Sequence, residues 1–179
     1  KDTLPKVIKT DSVIAIQPIN PAINHPEPVE TNPIKLFEAL LPLKLYFEND
    51  RPDPKTIQTT TTKNYVALYE EYIANQPKYN EQYALSLTDA NQKAEAEQKI
   101  NSFFDNTVKK SFTDLDRFTK IMIKQLKDGN KVELIIRGSA SPLANSAYNK
   151  NLSKRRISSV LNYWKSINAG ELIAYTKSG

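Results

Sequence analysis

The sequence predicts an α/β fold of the α+β kind with strand–helix–strand–helix order, and three stretches carry the prediction. Residues 40–48 (LLPLKLYFE) put Leu43, Leu45 and Phe47 on one face, as a half-buried strand does. Residues 132–138 (VELIIRG) form a second short strand, entered directly from a helix. Strand, helix and strand in succession imply a right-handed crossover between parallel strands. Residues 148–164 then form a helix. On it Asn149, Leu152, Ser153, Arg156, Ile157, Val160, Leu161 and Trp164 recur at steps of three and four and share one face. The C-terminal half of that face is apolar and packs; its N-terminal half carries an amide, a hydroxyl and a guanidinium.

Taken in order, residues 1–38 read as a proline-rich linker or extended segment. Pro5, Pro18, Pro21, Pro26, Pro28 and Pro33 favour extended backbone and block helices. The run Ser12–Ile16 has the composition of an edge strand, but the proline density favours a linker, and His25 within it reads as solvated. Residues 39–179 are the domain. The first strand ends in a polar turn, Asn49–Pro54, where Glu48 and Asp50 either cap the next element or line a pocket. Thr59–Thr62 is a candidate cap for the next helix, whose stripe is Tyr65, Leu68, Tyr69, Tyr72 and Ile73. Pro77 ends or offsets that helix, and Tyr79, Tyr83 and Leu87 continue in a shorter piece. An aromatic stripe at this spacing is read as core packing in preference to a sugar-stacking platform. A long helix runs from Thr88 to Asp128, with Phe103, Phe104, Val108, Phe112, Leu115, Phe118 and Met122 along it and Gly129 as its C-terminal stop. After the last helix, Asn168–Gly170 is a break and residues 171–175 begin another strand.

Composition narrows the chemistry. The 179 residues contain no cysteine and one histidine, which excludes disulfides, thiol nucleophiles and multi-histidine metal sites. Lys and Arg exceed Asp and Glu by 25 to 20, a net charge of +5 that suits anionic polymers or surfaces without choosing among them. No apolar run approaches the roughly 20 residues that span a bilayer. The chain begins at Lys1 without a signal pattern and reads as a piece of a longer or processed protein.

The spacing Asn149-x-x-Leu152-Ser153-x-x-Arg156, with Val160 four positions on, resembles the signature helix of OmpA-like peptidoglycan-binding domains. The strand and Ser/Ala/Pro loop before it fit, as does Tyr46-Phe47-Glu48 at the end of the first strand. The resemblance covers under a third of the chain. It implies a two-layer OmpA-like sandwich of βαβα order with a mixed sheet. Residues 55–110 are then a helical insertion of the Bacteroidetes type, either a docking surface or a buttress, and the domain is truncated after Gly179.

It also implies a function: non-catalytic binding of the diaminopimelate stem peptide of peptidoglycan. Such binding anchors an outer-membrane protein or complex to the cell wall from the periplasm, with no cofactor and no metal. In that family a loop Asp neutralises an ammonium and the helix Arg grips a carboxylate with its planar fork. By resemblance Arg156 takes the second role, and Asn149 tightens the loop and helps hold the ligand. The position of the loop Asp is Ser141 here, which offers a hydrogen bond without charge. Glu48 or Asp50 at the neighbouring strand end would supply the missing carboxylate.

Two other readings follow. A domain of this kind that has lost glycan binding would serve as a scaffold for envelope proteins. Nucleic-acid binding through Lys150, Lys154, Arg155, Arg156 and Lys165 is disfavoured, because no aromatic platform accompanies the charges and Lys154 and Arg155 read as a solvated face. No enzyme is expected: a nucleophile–base pair and a glycine-rich phosphate loop are both missing, and the carboxylate pairs Glu70/Glu71 and Asp114/Asp116 fall on solvated helix faces.

Overall fold

Helices make up most of the chain. The computed structural model describes residues 14–18, 33–85, 87–140 and 145–175. A short strand β1 (Ile14–Pro18) and helix α1 (Pro33–Ala39) precede α2 (Tyr65–Ala74), α3 (Gln76–Leu85) and α4 (Ala90–Phe103). A π-helical turn (Phe104–Lys109) joins α4 to α5 (Lys110–Lys127); strand β2 (Val132–Ile136) and α6 (Ser146–Ser166) follow. Residues Ile167–Tyr175 close the described chain in 3₁₀ turns.

This architecture overturns the predicted α/β sandwich with a mixed sheet. Among the described residues the one ladder is β1 antiparallel to β2, with Ile14 opposite Ile136 and Pro18 opposite Val132. No parallel crossover links residues 40–48 to β2. Residues 40–48 are irregular, with a single bridge at Leu43. Pro42 removes a ladder donor at the start of this stretch. The alternation of Leu43, Leu45 and Phe47 nevertheless does its packing job: Leu43 is buried, and Leu45 and Phe47 lie against the core. The sheet partner comes instead from the segment read as linker, which also contributes α1 and its buried Phe37.

The core forms where α5 meets α6. The α5 stripe buries Leu115, Phe118, Met122 and Ile123, and α6 answers with Val160, Tyr163 and Trp164. Trp164 Nε1 donates to Thr119 Oγ1 at 3.1 Å, and Thr119 donates to the Leu115 carbonyl at 2.7 Å, so this buried polar pair is satisfied. The π turn adds a residue between α4 and α5 and re-phases the apolar stripe, letting both Phe104 and Val108 bury. Gly129, at φ 85°, ends α5 as predicted, with the amides of Gly129 and Asn130 bonding back to the carbonyls of Leu126 and Gln125.

Two local expectations change. Asn64, and not the threonine run, caps α2 by accepting from the Val66 amide. The strand expected at 171–175 is a helical turn. Asn168, Ala169 and Gly170 all take left-handed dihedrals, which turn the chain back so that Leu172 buries, whereas Ile173 and Tyr175 stay exposed. The carboxylates Asp114 and Asp116 pair with Lys110 and Lys120 one helical turn away.

Burial leaves a pH signature. Tyr65 is fully buried, donates to the Tyr46 carbonyl at 3.1 Å, and has its pKa pushed up by desolvation. Desolvation also pushes Tyr72 up to about 12 and raises Tyr79. In the unfolded chain phenols ionise near pH ~10, so above that pH the folded chain holds more protons and stability falls as pH rises. Urea midpoints are expected to drop between about pH 10 and about pH 12, and Tyr72→Phe to remove part of that drop.

Candidate functional site

The site is built around the N-terminal half of α6. Asn145 caps the helix by accepting from the Ala147 amide at 2.8 Å. Upstream, the chain leaving β2 passes close to the helix: a Cβ on Gly138 would stand 2.6 Å from the Ser153 carbonyl oxygen. Only glycine lets the backbone approach this near. Ser153 is itself buried, its hydroxyl donating to the Asn149 carbonyl at 2.9 Å.

Arg156 lies half-buried between three segments. Its Nε donates to the Arg51 carbonyl at 3.0 Å, Nη1 to Ser139 at 2.8 Å and Nη2 to Glu48 at 3.4 Å. The guanidinium also sits 5.1 Å from the centre of the Phe47 ring. Burial pushes its pKa down, and the charge of Asp50 pulls it back up. Asp50 accepts the Tyr148 hydroxyl. Asp50 thus lies within electrostatic reach of Arg156, and Asn149 lies two turns before Arg156 on α6. Ser141 lies outside the described residues. Glu48 turns its carboxylate the other way, accepting from Asn75 Nδ2 at 3.0 Å, while its second oxygen stays 3.8 Å from Arg51 Nε.

Arg155, read as solvated, is completely buried. Its Nε donates to Pro52 at 3.1 Å, and Nη1 donates to Thr56 at 3.1 Å and to Gln58 at 2.7 Å. Tyr148 packs over it, ring centre 5.4 Å from the guanidinium carbon, and accepts the Lys55 amide at 2.9 Å. The loop held in this way contains Asp50, Asp53 and Lys55 in left-handed conformations at φ 57°, 51° and 61°. A left-handed turn costs an L-residue such as Lys55 about 1–2 kcal/mol, so the loop needs outside support.

That support extends along one polar stripe of α6. Asn151 donates to the Ile57 carbonyl, Ser158 to Thr61, and Asn162 to Thr61 and Lys63. With Arg155 these residues are spaced four, three and four apart, a helical face in its own right. The stripe was present in the sequence as periodic polar residues. What hid its role is that a polar face looks the same whether it meets water or the backbone of a loop about a hundred residues away.

The space beneath Arg156 is small, a void of about 30 Å³ bounded by Leu43, Leu45, Phe47 and Val160. Two larger hollows lie elsewhere: one of about 760 Å³ between α3 and α4, and one of about 430 Å³ beside β2 and residues 172–175. Among the described residues no group of three or more His, Asp or Glu could hold a metal, and no helix is long and apolar enough to cross a membrane. Comparison with family models, curated proteins and solved structures finds no match to this chain.

The clamp predicts an asymmetry along α6. Replacing Arg155 by Lys removes the fork that serves three carbonyls and is expected to cost about 2–4 kcal/mol. Lys150→Ala, at an exposed position of the same helix, is expected to stay within about 0.5 kcal/mol. Urea denaturation of both variants measures the difference, and equal small effects would remove the clamp.

Proposed function

We propose that the domain is a non-catalytic cell-wall anchor that binds the zwitterionic diaminopimelate group of peptidoglycan stem peptides and tethers an outer-membrane protein or complex from the periplasmic side. The supporting observation is that the Asp50 carboxylate, which accepts the Tyr148 hydroxyl of α6, acts electrostatically on the Arg156 guanidinium two turns further along the helix. A ligand carrying an ammonium and a carboxylate meets its complement there, and Asp50 stands in for the charge that Ser141 does not supply. Asn149 and the capped start of α6 lie on the same side, where free helix amides favour a carboxylate.

A specific observation favours the second reading, an envelope scaffold that no longer binds the wall. Arg156 already serves three backbone carbonyls, and the void beside it is water-sized.

Co-sedimentation with purified diaminopimelate-type sacculi separates the two. Asp50→Asn keeps an acceptor for the Tyr148 hydroxyl and preserves the fold while removing the charge. It is expected to weaken sedimentation about tenfold to a hundredfold, the worth of one charged hydrogen bond. A folded wild-type domain that stays in the supernatant would leave the scaffold reading in place.

A further inference from the structure

The tyrosine stripe that reads as core splits in two once folded. Tyr65 is fully buried, whereas Tyr72, Tyr79 and Tyr83 line the groove of about 760 Å³ between α3 and α4. Neither helix buries any of its residues, so this hairpin face is not a closed core. The volume falls in the range of small-ligand sites, roughly 300–1,000 Å³. Phe104, 2% exposed, forms an apolar floor, and Tyr72 and Tyr79 pack against it at centroid distances of 5.0 and 5.9 Å. Tyr83 stands at the mouth, 60% exposed.

The opposite wall, on α4, sets polar groups beside apolar Ala96, Ile100 and Phe103. Gln92, Glu95 and Lys99 lie three and four residues apart on α4 and are exposed along the groove. Together they offer an amide, a carboxylate and an ammonium whose charges cancel. The hydroxyls of Tyr72 and Tyr79, like any tyrosine hydroxyl, are protonated at neutral pH, so each can donate as well as accept. The ligand that matches ring faces on one side and mixed donors and acceptors on the other has flat apolar faces edged with uncharged hydroxyls.

We propose that the α3–α4 groove binds a neutral pyranose glycan, its rings stacked on the tyrosine faces and its hydroxyls bonded to Gln92, Glu95 and Lys99. An amphipathic helix laid in the same groove would press Glu95 and Lys99 against apolar side chains without partners, a costly burial. A phosphate would face Glu95. Sugar hydroxyls satisfy all three polar groups. The site is separate from the stem-peptide reading, since neither Asp50 nor Arg156 lines the groove.

The test is isothermal titration of the whole chain with chitohexaose and with cellohexaose, neither of which carries a peptide. Binding of at least one at millimolar affinity or better is expected. Tyr83→Ala is expected to weaken it about tenfold, as loss of one ring contact does. Gln92→Ala should weaken it as well, and Asp50→Asn should leave it unchanged. Both groove substitutions are at exposed positions, and circular dichroism would verify that the fold is retained. The proposal is overturned if neither glycan binds, if binding survives both groove substitutions intact, or if Asp50→Asn alone abolishes it. Because the probes lack stem peptides, these outcomes do not depend on whether sacculi are bound through Asp50 and Arg156.

Discussion

Two adjacent arginines on one helix hold the irregular stretch before α2 in place. Arg155 and Arg156 point about 100° apart around α6, and each donates to three backbone carbonyls of other segments. Buried carbonyls without donors are expensive, and a loop with three left-handed residues has no regular structure to supply them. The guanidinium fork answers that need with several donors from one side chain, always charged and rigidly planar. The opposite flank of α6 is apolar and packs on α5 through Trp164, Tyr163 and Val160. One helix therefore joins a hydrophobic core on one side to a hydrogen-bonded loop on the other.

Glu48 connects the two regions of chemical interest. Its carbonyl accepts from Arg156, while its carboxylate accepts from Asn75 at the junction of α2 and α3 and acts on the ionisation of Tyr72 and Tyr79. Arg156 and the aromatic groove are thus linked through a single residue, Glu48.

Much of the helical content was legible in the residues themselves. The α5 stripe, its stop at Gly129, the offset at Pro77 and the span of the last helix all follow from spacing and backbone preference, because a helix is set by contacts three and four residues apart. The strands were less legible. Leu43, Leu45 and Phe47 alternate as a strand does, yet alternation reports only which side chains are buried; a ladder also needs a partner with free donors at the right register. That partner for β2 came from Ile14–Pro18, inside a segment whose prolines argue for a linker. Of the residues singled out on α6 and the preceding loop, Arg156 proved half-buried under backbone carbonyls, and Arg155, read as solvated, proved fully buried.

By itself, then, the sequence determined the helices from α2 to α6, the apolar face of α6, the lack of thiol and multi-histidine chemistry, and the polar residues available at the start of that helix. Tertiary structure alone decided which polar residues meet water and which meet backbone. It buried Arg155 under the loop from Pro52 to Gln58, paired β2 with β1, and opened the tyrosine stripe into a groove. The physical reason is range: helices are written in neighbouring residues, but the burial of a charge or the pairing of a strand depends on segments far away in the chain, whose arrival leaves no local mark.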